Sequence, residues 1–143
     1  MQLFYTNNTE TEFALSSEES KHITKVLRKK EGERLNFTDG IGHLIIAEIT
    51  NSDVKKTRVK VIEKIEKEKK YNYYLHIAIA PTKNMDRFEW FLEKATEIGI
   101  DEITPIICDR SERKVIKTDR CNRILLSAMK QSLKFHKPKL NEA

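Results

Sequence analysis

Apolar residues recur at alternate positions over much of residues 1–70, and three to four residues apart over much of residues 71–143. The first period belongs to half-buried strands and the second to helices with one buried face. Residues 3–5, Leu-Phe-Tyr, read as a short strand. Ser16 with Glu19 three residues on fits a capping box, so a helix is predicted to begin there. Ile23, Val26 and Leu27 would form its apolar face, and Gly32 would end it as a C-terminal cap. Residues 35–38, 43–50 and 57–62 read as strands, with turns at Asp39-Gly40 and Asn51-Ser52-Asp53. Several short strands and one helix predict a small barrel or curled sheet. Residues 63–72 are dense in charge, and the period changes there, which places a domain boundary near residue 70.

Residues 75–80, Leu-His-Ile-Ala-Ile-Ala, are nearly continuously apolar, as in a strand covered on both faces. Asn84 can cap a helix whose apolar face is Phe88, Phe91, Leu92, Ala95 and Ile98, with Gly99 as its stop. Residues 103–107 read as a second strand, which makes a βαβ unit. A helix over residues 118–135, with Ile124, Leu125, Ala128 and Met129 buried, completes the reading. Two strands and two helices do not cover both faces of a parallel sheet. The second domain is therefore expected to be unfinished, as in the front portion of a longer protein. A chain that pairs its open sheet with a partner copy would share the pattern.

Composition narrows the class. The 143 residues are 38 % hydrophobic and 34 % charged, with few glycines and prolines, which excludes collagen-like, linker-like and disordered chains. No run reaches the roughly 18 apolar residues of a membrane span. Residues 1–5 do not open a secretory signal, and Cys108 and Cys121 match neither a disulfide framework nor a metal site. A cytoplasmic protein without metal is expected. Charge is unevenly placed: residues 71–109 hold 3 Lys/Arg against 7 Asp/Glu, and residues 110–139 hold 10 against 2. Such clustering favours a polyanion, although a solvated surface has the same composition.

Four segments carry candidate chemistry. His22, Lys25 and Arg28 lie in a helix that would offer a cationic row to a phosphate backbone. Lys83 follows the first strand of the second domain, where open α/β sheets bind ligands and helix amino ends attract anions. Arg110, Ser111 and Arg113 follow the second strand and so belong to the same sheet edge, where arginines can grip phosphates or stack on bases. Gln131 and Ser132 could hydrogen-bond a base. There is no Gly-x-Gly-x-x-Gly, no P-loop, and no glycine after Gly99, so no glycine-rich loop approaches a cofactor and no cofactor-binding residue is expected in this chain.

In order and spacing, the segment 22–28, Asp39-Gly40, Lys83, Met85-Asp86-Arg87, the segment 94–99, Thr104-Pro105, the segment 110–113 and Gln131-Ser132 resemble the ribosomal RNA small-subunit methyltransferase E family. The resemblance implies an α+β / α/β chain. Residues 1–70 would be a PUA-like RNA-binding β-barrel, and residues 71–143 the first βαβα part of a SPOUT (α/β-knot) methyltransferase domain, its knot missing. It further implies methyl transfer from S-adenosylmethionine to uridine N3 of 16S rRNA on the 30S subunit, by a homodimer. Where the family pattern reads Glu-Gln-Ser-Gly-Arg, this chain reads Lys130-Gln131-Ser132-Leu133-Lys134. Lys134 is thus the catalytic candidate, keeping the charge but not the bidentate fork of arginine. The expectation is a chain that contacts RNA, binds no S-adenosylmethionine and is inactive alone. The alternative is a stand-alone RNA-binding or ribosome-associated module without catalysis.

Overall fold

The computed structural model describes residues 1–111 and 115–143. The chain divides into two compact units, Met1–Glu68 and Lys69–Ala143.

The first unit is a five-stranded mixed sheet with strand order β1-β3-β4-β5-β2. Its strands are β1 (Leu3–Tyr5), β2 (Glu12–Ala14), β3 (Arg34–Thr38), β4 (His43–Asn51) and β5 (Arg58–Glu66). β1 runs parallel to β3, and the other pairs are antiparallel. Register shifts between Ile46 and Ala47 and between Ile49 and Asn51 bend the long β4–β5 ladder, as bulges do. The result is a half-barrel whose edges are the short strands β1 and β2, not a closed barrel. Phe37 sits at its centre, 5.8 Å from the Phe4 ring and 5.7 Å from the Phe13 ring, which it meets edge-on. β2 escaped the sequence pattern because only Phe13 among its three residues is buried.

The predicted helix is much shorter than expected. α1 (Ser17–Lys21) is capped by Ser16, whose Oγ accepts from the Glu19 amide at 3.2 Å. The chain then widens into a π-helical turn over His22–Val26, closed by the Leu27 amide donating to the His22 carbonyl. A π turn holds more residues than an α turn, so it rotates the residues after it about the helix axis. Val26, expected in the core, is 66 % exposed, while Ile23 is fully buried. Arg28 then takes a left-handed φ of 53° and ends the helix. Gly32 does not cap it; its positive φ serves the turn into β3, where its amide donates to Ile49.

The second unit is a parallel sheet of order β6-β7-β8: β6 (His76–Ile79), β7 (Glu102–Pro105) and β8 (Lys139–Leu140). The third strand was not foreseen, because two residues with one apolar side chain leave no periodic signal. α2 (Met85–Ile98) connects β6 to β7 and α3 (Thr118–Gln131) connects β7 to β8. The Asn84 side chain caps α2 by accepting from the Asp86 amide, and Gly99 stops it at φ 119°. α3 ends at Gln131, four residues short of the expectation, where Leu133 turns left-handed at φ 54°.

Phe88, Leu92, Ile103 and Leu125 form the buried centre between helices and sheet, with Ile77, Ile79 and Leu140 packed against it. Ile124 is half-buried, and Ile98, expected on the buried face of α2, is 79 % exposed. β6 is not covered on both faces. Its alternate residues His76 and Ala78 are exposed, opposite the face that packs on the helices.

Candidate functional site

The parallel sheet presents a carboxyl edge and an amino edge. At the carboxyl edge, β6 ends at Ile79 directly opposite Pro105 of β7, so the loops after both strands emerge side by side. Lys83 lies in the first loop and Arg110 with Ser111 in the second, and Lys83 and Arg110 are both exposed. The structure therefore brings these candidates together, as the strand order requires. Ser111 is tied into its own turn: its Oγ accepts from the Cys108 amide at 2.9 Å, and its amide donates to the Cys108 carbonyl. Arg113 lies outside the described residues.

Gln131, Ser132 and Lys134 are at the other edge. α3 runs back along the sheet for 14 residues, about 21 Å at 1.5 Å per residue. The next strand then starts at Lys139 opposite Glu102, the first residue of β7. The Ser132 hydroxyl donates to the Ala128 carbonyl at 2.6 Å, which finishes the helix. Lys134 is half-buried beside it, its amide donating to Met129. In the first unit, His22, Lys25 and Arg28 follow one another through the π turn and the left-handed stop rather than along one helical row. Lys25 and Arg28 are both exposed.

Two clusters carried no sequence signal. At the amino edge, the Asp101 carboxylate is almost fully buried and pairs with the Lys69 ammonium. It also accepts from the Leu75 amide at 2.7 Å and the Tyr71 hydroxyl at 3.3 Å. Burial alone would push this carboxyl up, but the Lys69 and Leu75 hydrogen bonds, the Lys69 charge and the Tyr71 hydroxyl outweigh it and hold it below its ordinary value. Tyr71 responds in the opposite sense: burial, then the Asp101 charge and hydrogen bond, push its hydroxyl up to about 12. On the open face of the sheet, Glu102 accepts from Tyr74 at 2.7 Å and from Asn141 at 2.5 Å, while His76 and Thr104 meet at 2.6 Å. Only the fold brings these residues together, since Asn141 follows Glu102 by 39 positions.

Cationic loops at the carboxyl edge of a parallel sheet offer positive charge where α/β proteins bind ligands. Comparison with known proteins makes this specific. Residues 68–143 match the family described as the RNA methyltransferase domain, and residues 15–63 match the RNA methyltransferase PUA domain. The chain belongs to the RNA methyltransferase family.

Among curated relatives, "Ribosomal RNA small subunit methyltransferase E" of Buchnera aphidicola is 28 % identical over 134 residues, covering 90 % of this chain and 53 % of that protein. "Ribosomal RNA small subunit methyltransferase E 2" of Borreliella burgdorferi is 33 % identical over 128 residues, covering 84 % and 51 %. The chain thus spans about half the length of the curated relatives it matches. A "probable rRNA-methyltransferase" from Porphyromonas gingivalis superposes with a TM-score of 0.93 at 43 % identity, over 99 % of this chain and 60 % of that one. A Legionella pneumophila structure in complex with the bound cofactor SAM superposes with a TM-score of 0.83 at 25 % identity, over 99 % of this chain and 62 % of that one.

Two grooves lie beside the helices of the second unit. One, of about 500 Å³, is lined by α2 and α3 residues, among them Arg123, Ser127 and Gln131. A second groove of about 410 Å³ is lined largely by apolar atoms and by Arg120, which is bound to Glu89 at 2.7 Å. Among the described residues there is no cluster of three or more metal-ligating side chains.

Proposed function

We propose that this chain is the RNA-contacting part of a 16S rRNA uridine-N3 methyltransferase of the small ribosomal subunit. Residues 1–70 act as its PUA-like RNA-binding domain and residues 71–143 as the first part of its SPOUT domain. The knot, the S-adenosylmethionine site and the homodimer interface belong to segments of the complete enzyme outside these residues, and the enzyme works in the cytoplasm on the 30S subunit. His22, Lys25, Arg28, Lys83, Arg110, Ser111 and Arg113 hold rRNA, and Gln131 and Ser132 line its path. Lys134 is the candidate for a role at the transfer site. One observation supports the reading above the rest: a PUA-type unit leads directly into an RNA methyltransferase unit, in the order of relatives named for ribosomal RNA methylation.

Two measurements test it. Binding of 16S rRNA by the 143-residue chain should weaken as salt rises, because phosphate contacts release counterions. It should also weaken with Arg28→Ala or Arg113→Ala, and unchanged affinity in both variants rejects those contacts. Calorimetric titration with S-adenosylmethionine should give no binding heat, and micromolar binding overturns the assignment of the cofactor site to other segments.

A further inference from the structure

The outer surface of α2 and α3 carries a feature that neither sheet edge explains. Trp90, the only tryptophan, is 63 % exposed on α2. An exposed aromatic ring offers a flat apolar face on which a planar ligand group can stack. Arg87 stands one turn before it on the same strip, exposed and with no ion-pair partner among the described residues. Glu93, one turn after it, walls the groove of about 500 Å³ between the helices. Along the opposite wall, Arg123, Ser127 and Gln131 recur every fourth residue over an apolar floor of Ile124 and Ala128. Lys130 shares the strip of Arg123, two turns on.

Charge selects the occupant. α3 has no carboxylate after Asp119 in its first turn. On α2, Glu89 is held by Arg120 at 2.7 Å, and Glu93 and Glu97 share Lys94 at 3.7 and 3.4 Å. Asp86 is placed at the amino end of its helix, where the macrodipole favours it. Among the described residues of the two helices, the cations without a carboxylate partner are Arg87, Arg123 and Lys130. Rows of cations and hydroxyl or amide groups beside an exposed aromatic ring are what single-stranded nucleic acid binds: phosphates on the cations and a base on the ring.

We propose that the α2–α3 groove is a track for single-stranded RNA, with Arg123 and Lys130 on its phosphates, Ser127 and Gln131 on its sugars, and a base stacked on Trp90. This rests on the reading of the chain as RNA-binding and names a surface for it distinct from the loop candidates at the carboxyl edge. It also gives Gln131 a setting, on an α3 row with Arg123 and Ser127.

Trp90 is its own probe. The full chain titrated with a short single-stranded oligouridylate should show saturable quenching of tryptophan fluorescence that weakens with salt. In anisotropy titrations of the labelled oligonucleotide, Trp90→Leu should weaken binding roughly five- to hundredfold. The double variant R123A/K130A should lower the salt slope by about 0.7 for each phosphate it no longer neutralises. Trp90 and Arg123 are exposed and Lys130 is half-buried, so circular dichroism should be unchanged; R123E serves as a second variant if it is not. Oligouridylate bound without quenching, and with equal affinity in both variants, overturns the track while leaving the RNA-binding reading standing. No binding of either oligouridylate or 16S rRNA overturns both. Concentration-dependent dimerisation abolished by Trp90→Leu, without RNA binding, assigns the face to a second copy and also overturns the proposal.

Discussion

Gly99→Ala tests how the amino edge of the sheet is built. Gly99 has φ 119° and ψ 85°, outside the regions open to L-residues, and a left-handed conformation alone costs an alanine about 1–2 kcal/mol. A Cβ there would also stand 2.7 Å from Cε1 of Tyr71, inside van der Waals contact. The ring has no easy retreat, since it stacks on Tyr73 at 4.3 Å and its hydroxyl is bonded to Asp101. Displacing it adds a cost like that of overpacking, about 1–3 kcal/mol. The expected total is about 2–5 kcal/mol, and for a unit of this size each kcal/mol lowers Tm by about 4–8 °C. Urea and thermal unfolding followed by Trp90 fluorescence report on the second unit specifically. Gly32→Ala is the control: its φ is also positive, at 87°, but the only atom near its Cβ is Glu48 Oε1 at 3.9 Å. It should cost about 1 kcal/mol, the backbone part alone, read by circular dichroism. Equal losses in the two variants would show that the Tyr71 contact contributes nothing, and the argument for this edge would fail.

Three further outcomes rest on the same geometry. Leu133→Gly should leave stability unchanged or raise it by up to about 1 kcal/mol, because its left-handed φ of 54° suits glycine and the leucine side chain is 41 % exposed; a clear loss in urea unfolding contradicts this. Asp101→Asn should cost about 1–2 kcal/mol at neutral pH, discounted for the solvent reaching Lys69. The Asp101 carboxyl is held below its ordinary value, so its contribution is present above that value and disappears as pH falls through the lowered one. The gap between the two proteins should therefore close in acid, and a gap that stays constant throughout the acid range would refute the assignment. The Tyr71 hydroxyl should ionise near pH 12 in an ultraviolet titration, with that step absent in Tyr71→Phe. Because its folded value is raised, the stabilisation is present below the ordinary tyrosine value and is lost as pH climbs towards 12.

The sequence by itself determined the alternating strands of the first unit, the Ser16 and Asn84 caps, the Gly99 stop and the side-by-side exit of the Lys83 and Arg110 loops from one sheet edge. These are local: a cap needs a side chain within three residues, and side-by-side strand ends need only a parallel βαβ crossover. The family resemblance was legible for the same reason, since it rests on the order of short motifs. Tertiary structure alone decided the rest. The π turn that expels Val26 and the left-handed Arg28 replaced a helix that periodicity would have continued to Gly32. β2 and β8 are strands only because a longer neighbour supplies their hydrogen bonds. The Lys69–Asp101–Tyr71 cluster and the Glu102–Asn141 pair join residues about 30 to 40 positions apart, which no local period can announce. Helix length decided that Gln131 and Ser132 lie at the sheet edge opposite the Lys83 loop, because α3 must cross the sheet before the next parallel strand can begin.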